Sequence, residues 1–133
     1  MRSFHLKIVT PDGLFFDGQA ESLTVRTSCG DIGILAGHMD YVTTLGMGRA
    51  KIVIDGKTRT AACIGGMLSV SQGNVTVVAT TFEWSEDIDV ARAEKSAENA
   101  KIVLNNKTGH TTEEIALAEA RLKRALVRIG SAK

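Results

Sequence analysis

Two groups of side chains have types and spacings that could hold a charged ligand. The first is Glu83 followed by Ile88-Asp89-Val90-Ala91-Arg92-Ala93. Asp89 and Arg92 stand three apart, so both project from one side of a helix. As a purely structural pair they place a carboxylate on the helix dipole beside an arginine, worth a few tenths of a kcal/mol. As a site they make a small polar pocket, with acids accepting from ribose or base donors and the guanidinium gripping a phosphate. The second group is Arg121, Arg124 and Arg128, whose steps of three and four form one helical stripe. After Glu119 the chain has five bases (these three, Lys123 and Lys133) and no acids. Arginine favours carboxylates and phosphates in fixed geometry, so the stripe suits an acidic protein surface, nucleotide phosphates or a solvated face at a helix C-terminus. Nucleic acid fits least well, because aromatic residues are few and no basic groove signature accompanies the stripe.

Other chemistry is missing from the pattern. There is no nucleophile elbow, Walker loop, zinc-protease motif or dinucleotide fingerprint, and Gly46-Met47-Gly48 is a lone GxG. His5, His38 and His110 sit in unrelated segments without acidic neighbours, so neither a metal site nor a general base is expected. Cys29 and Cys63 form no metal or redox motif and read as reduced, strand-borne small hydrophobes. A self-contained enzyme with a catalytic cofactor is therefore not expected. The 44% hydrophobic content is too high for a disordered chain. No apolar run reaches the length of a membrane span, and the start lacks a signal-peptide core, so no direct membrane insertion is expected.

The elements that must carry these residues divide the chain at 84/85. Over 1–84, period-2 alternation (Phe4, Leu6, Ile8; Ala50, Ile52, Ile54) is broken by Thr10-Pro11-Asp12-Gly13, Asp55-Gly56 and Gly73-Asn74. Such dipeptides favour the positive φ of tight hairpins, and short strands at this spacing predict a sandwich or barrel. Over 85–133 the period becomes helical. Ser85-Glu86-Asp87 offers caps for a first helix with Ala93, Ala97, Ala100 and Leu104 on one face. Asn105-Asn106-Lys107-Thr108-Gly109 breaks it. Thr111 to Glu114 is a capping box for a second helix, carrying Ile115, Ala118, Leu122, Ala125 and Ile129 and stopping at Gly130. Helices joined so closely pack antiparallel. An alanine face buries little area, so the hairpin is marginal alone and suited to be a moving part.

Four motifs in register carry a resemblance: Thr10-Pro11-Asp12-Gly13, Gly33-Ile34-Leu35-Ala36-Gly37-His38, Gly65-Gly66, and Glu86 to Ala93. With Ala118 to Ala125, they make the whole chain similar to the epsilon subunit of bacterial F-type ATP synthase. The family usually has proline where Ala36 stands, a departure that loosens one turn. The resemblance implies an N-terminal antiparallel β-sandwich of about ten strands over 1–84, docked on the gamma subunit and the c-ring through Gly33, Ile34, Leu35, Gly37 and His38. It implies a regulatory antiparallel two-helix hairpin over 85–133 that, when extended toward the alpha/beta catalytic hexamer, inhibits ATP hydrolysis. Arg121, Lys123, Arg124 and Arg128 would meet the beta subunit in that state. In some members the Ile-Asp-x-x-Arg-Ala motif binds ATP as a regulatory ligand, with or without Mg²⁺, and keeps the hairpin folded. The matching residues are Glu83, Ile88, Asp89, Arg92, Ala93, Arg124 and Arg128, with Asn99 where a further base is expected. The implied place is peripheral, on the cytoplasmic face of the bacterial plasma membrane. A free-standing nucleotide-sensing module is the competing reading.

Overall fold

The computed structural model describes residues 2–132, so Lys133 lies outside the described residues. Eight strands come first: β1 (Phe4–Thr10), β2 (Gly13–Ala20), β3 (Ser22–Thr27), β4 (Gly30–Leu35), β5 (Tyr41–Thr44), β6 (Met47–Ile54), β7 (Lys57–Ser71) and β8 (Asn74–Trp84). They hydrogen-bond in the order β2-β1-β8-β7-β6-β3-β4, with β5 also on β7. The expected count of about ten becomes eight because β7 and β8 are long and each runs through both layers of the sandwich. One layer holds β2, β1, β5 and one end of β7 and β8; the other holds β6, β3, β4 and the opposite end. The expected all-antiparallel pairing also has an exception: β1 lies parallel to β8. These two strands are remote in sequence, so no tight turn has to join them.

The change of layer happens at a glycine corner. The stretch from β5 to β6 pairs with β7 in one continuous register, from Tyr41 opposite Val70 to Ile54 opposite Lys57. Ladder pairing lapses where Leu45-Gly46 faces Gly65-Gly66, held by Leu45 N–H to Gly66 O (2.9 Å) and Gly65 N–H to Gly46 O (3.1 Å). Gly66 has φ +114°, and a Cβ there would meet the Val78 carbonyl oxygen at 1.9 Å. No residue with a side chain fits.

The two expected hairpin turns form. Asp55 and Gly56 both have positive φ (51° and 75°), as a type I′ turn requires. The other turn sits one residue earlier than the sequence suggests, on Gln72 and Gly73 (51° and 81°), because Asn74 already pairs with Ser71. The alternation closes the core: Leu6, Ile8, Leu23, Val25, Ile34, Ile52, Leu68 and Val77 are fully or almost fully buried. Cys63 lies in this layer, where burial pushes its thiol up to about 12. Cys29 differs from its expected strand position: it sits exposed in the turn between β3 and β4.

The helices are α1 (Val90–Asn105) and α2 (Thr112–Ser131), preceded by 3₁₀ turns at Ser85–Asp87 and Lys107–Gly109. Ser85-Glu86-Asp87 does not cap α1 as expected. Asp89 does, its carboxylate accepting the Arg92 backbone N–H at 3.0 Å. The capping box at α2 forms, Thr111 Oγ1 accepting from Glu114 N–H at 3.1 Å. Gly130 does not end α2, which runs one residue further to Ser131. The buried residues of the pair are mainly Ala93, Ala97, Ala100, Ala118 and Ala125. The helices pack on each other, and α2 also lies on β6 and β7.

Gly66→Ala should cost about 3 kcal/mol or more, or abolish folding, since backbone must move. Gly56→Ala, with φ +75° but nothing within 4 Å of the added Cβ, should cost only about 1 kcal/mol. Urea titration of both variants checks the contrast.

Candidate functional site

Where the sandwich hands over to the hairpin, two stacked contacts fix the chain. The Arg59 guanidinium lies 3.7 Å from the centre of the Trp84 ring and donates to Glu86 at 2.5 Å. Thr60 and Ser85 share a hydroxyl hydrogen bond of 2.6 Å. Trp84 is backed by Phe15, Phe16 and Phe82 at centroid distances of 5.5, 6.2 and 5.7 Å. Residues 85–87 are thereby fastened to the sandwich, and the helical run proper begins after Ile88, which is itself buried.

Just beyond this clasp lies a cavity of about 370 Å³ lined by Glu83, Asp87, Asp89, Arg92, Ser96 and Arg128, with Ala93 at its wall. It draws Glu83 from β8, Asp87 from the 3₁₀ turn, Asp89 from the cap, Arg92, Ala93 and Ser96 from α1, and Arg128 from α2. Arg128 Nε donates to Glu83 Oε1 at 2.7 Å, and the two side chains are 30% and 32% exposed. At that exposure the pair contributes no more than about 1 kcal/mol. Its geometric effect is larger: it brings a cation to the edge of a pocket that holds three carboxylates. Asp89 serves twice, as helix cap and as cavity wall.

Five of the sequence-derived residues therefore meet: Glu83, Asp89, Arg92, Ala93 and Arg128. Two do not line the cavity. Ile88 is buried and absent from its lining, and Arg124, half-buried on α2, lines neither this cavity nor the next. The arginine stripe is about 10 Å long from 121 to 128, which gives its members different neighbours. Arg121 faces a second cavity of about 460 Å³ between the helices, with Arg92, Lys95, Ser96, Asn99 and His110. The two cavities share Arg92 and Ser96. Asn99 thus stands on the same lining face as Arg92, at the i, i+4, i+7 spacing of 92, 96 and 99. That spacing would have flagged Ser96 from sequence; Asp87 was legible only as a cap. Lys123 is exposed on α2. Among the described residues no group of three side chains could hold a metal ion.

The Gly33 to His38 segment is a strand end and a turn. Gly33 to Leu35 belong to β4, and Gly37 turns at φ +82°. Ile34 points into the core, whereas Leu35 is 63% exposed; Met39, Tyr41 and Val42 continue the exposed apolar run. His38 Nδ1 bonds the Met39 carbonyl oxygen at 2.8 Å, and its ring lies 6.0 Å from that of Tyr41. No helix among the described residues is long and apolar enough to cross a membrane.

Comparison with known proteins gives a consistent result. Residues 3–85 match the family described as ATP synthase, Delta/Epsilon chain, beta-sandwich domain, and residues 86–133 match its long alpha-helix domain. The ATP synthase epsilon chain of Ruminococcus albus is 44% identical over 133 residues, covering 99% of this chain and 98% of that one. That of Bacillus velezensis is 39% identical over 129 residues, covering 97% and 96%. By fold, the chain matches one in the Euglena gracilis mitochondrial ATP synthase OSCP/F1/c-ring structure with a TM-score of 0.85 at 22% identity, covering 98% and 82%. A chain of the Tetrahymena thermophila central stalk/c-ring structure matches with a TM-score of 0.68 at 15% identity, covering 99% and 98%.

The clasp should be acid-sensitive. The hydrogen bond from Arg59 holds the Glu86 carboxyl below its ordinary value of 4.5. Its contribution is present above that value and is lost as pH falls through the lowered one. Emission from Trp84, the single tryptophan, should show a transition below pH 4.5 that Glu86→Gln removes.

Proposed function

Because the chain belongs to the ATP synthase delta/epsilon family, and with it to ATP synthesis and ion transport, we propose that it is a non-catalytic central-stalk subunit. Its sandwich couples the gamma subunit to the c-ring. Its hairpin restrains ATP hydrolysis when extended toward the alpha/beta hexamer, and ATP bound in the junction cavity keeps the hairpin folded. The carrying observation is the composition of that cavity: one ligand there would touch the sandwich, the 3₁₀ turn, α1 and α2 at once. Any such ligand stabilises the folded arrangement over one in which the elements part, by the amount of its differential affinity.

The charge pattern suits a nucleotide. Arg92 and Arg128 are placed for phosphate, while Glu83, Asp87 and Asp89 accept from ribose hydroxyls or base amines. Arg128 already spends its Nε on Glu83, so phosphate would meet its remaining donors or take the place of that pair. In the docking role, exposed Leu35, Met39, Tyr41 and Val42 offer the apolar surface that a partner subunit would cover. The proposed setting is peripheral, on the cytoplasmic side of the membrane. In the extended state Arg121, Lys123, Arg124 and Arg128 would present a cationic face to acidic groups of the beta subunit.

Calorimetric titration of the chain with ATP, with and without Mg²⁺, should give one-to-one binding that Arg92→Ala weakens at least about tenfold, the loss of one charge-assisted contact. Absence of heat up to millimolar ATP would remove the nucleotide from this reading. Independently, deleting residues 87–133 should leave gamma binding intact and raise ATP hydrolysis by the reconstituted complex. Loss of gamma binding would show that the division of labour is wrong.

A further inference from the structure

Three residues form a row across the outer face of the sandwich. Arg49 on β6 pairs with Ala62 on β7, and Ala62 pairs with Glu83 on β8. Adjacent strands lie about 4.8 Å apart, so the acid and the base are held roughly 10 Å apart with a single methyl between them. Ala62 is fully buried yet lies outside the sandwich core, as does Ile64 two residues on. The element packed on β6 and β7 from outside is α2, so the helix is what covers them.

The last turn of α2 fits this row in charge as well as in shape. Arg128 donates to Glu83 at one end. At the other end the Arg49 guanidinium donates to the carbonyl oxygen of Gly130. That carbonyl is among the last four of the helix, which have no partner within it and carry the negative end of its dipole. The sheet therefore presents acid, methyl and base in order, and the helix end presents a cation and then a carbonyl. Ser131, next in line, is buried. A cavity of about 440 Å³, lined by Arg26, Lys51, Leu126 and Val127 among others, opens beside Arg49. Asp31, on the same cavity, is paired with Arg26 at 2.9 Å.

We propose that the Arg49–Ala62–Glu83 row is the seat that sets how firmly the hairpin is docked, and that Arg49 is a positioning residue for a cavity it does not touch. By gripping Gly130 it holds Arg128, two residues earlier, at the cavity's edge. This rests on the hairpin being a mobile element.

Hydrogen exchange of the full chain, read by mass spectrometry, tests the seat with Arg49→Met, Arg49→Lys and Lys51→Met, the last changing a neighbour on the same cavity. Arg49→Met should raise exchange over residues 124–131 by roughly three- to tenfold, the loss of a cation at a helix C-terminus. Arg49→Lys should retain part of the protection, and Lys51→Met should leave it unchanged. The apparent ATP dissociation constant of Arg49→Met should rise by about the factor by which the docked population falls. Unchanged exchange in Arg49→Met, or a rise shared equally by Lys51→Met or by the sandwich strands, overturns the assignment. Failure of the wild-type chain to bind ATP would instead strike the nucleotide reading and leave the exchange result standing.

Discussion

The structure turns on how little apolar surface joins the hairpin to the sandwich. Each buried methyl in that contact contributes only about 0.8 kcal/mol. The helices meet each other through small residues, Ala93, Ala97, Ala100, Ala118 and Ala125, and the sheet face beneath α2 adds only Ala62 and Ile64 to the buried apolar residues. Within the sandwich, leucines, isoleucines and valines close the core without help. The two parts thus rest on different physics. One is held by bulk burial, the other by close approach of small side chains plus a few directed polar contacts.

That asymmetry explains why the charged residues gather where they do. Glu83–Arg128 and Arg49–Gly130 both act on the final turn of α2. The Arg59–Trp84–Glu86 stack acts at the opposite end of the hairpin's path, where it leaves β8. Between these fixed points it is α2 that lies on β6 and β7. A ligand in the junction cavity would join the same elements that the weak contacts join, so a modest affinity would be enough to shift their balance. The rigid glycine corner at Gly65-Gly66 bends β7 so that its first half can lie under α2 while its second half carries β5.

Much of this was legible in the sequence, and the failures have physical reasons. Period-2 alternation and the turn dipeptides gave the strands, because each strand buries one face. The count of about ten strands came from the resemblance, and alternation could not correct it to eight, since alternation carries no mark where a single strand passes from one layer to the other. Asp89 rather than Ser85 caps α1, because the Trp84–Arg59 stack holds 85–87 against the sheet before the helix can begin. Glu83, Asp89, Arg92 and Arg128 were readable as a set from their types and from the resemblance. Ser96 was legible only through its i+4 spacing from Arg92, Asp87 only as a cap, and the Arg49–Ala62–Glu83 row not at all, since it depends on strand register. Arg124 shares a stripe with Arg128 but not its neighbours, a distinction that helical spacing alone does not draw.

The central claim is that occupancy of the junction cavity sets the position of the hairpin. It is tested most directly by pulsed electron–electron distances between spin labels at Lys57 and Glu119, each replaced by cysteine in a Cys29→Ser background within the assembled complex. The account predicts one short distance with ATP present and a second, longer population that grows as ATP is withdrawn. A distance distribution that does not change with ATP would contradict it.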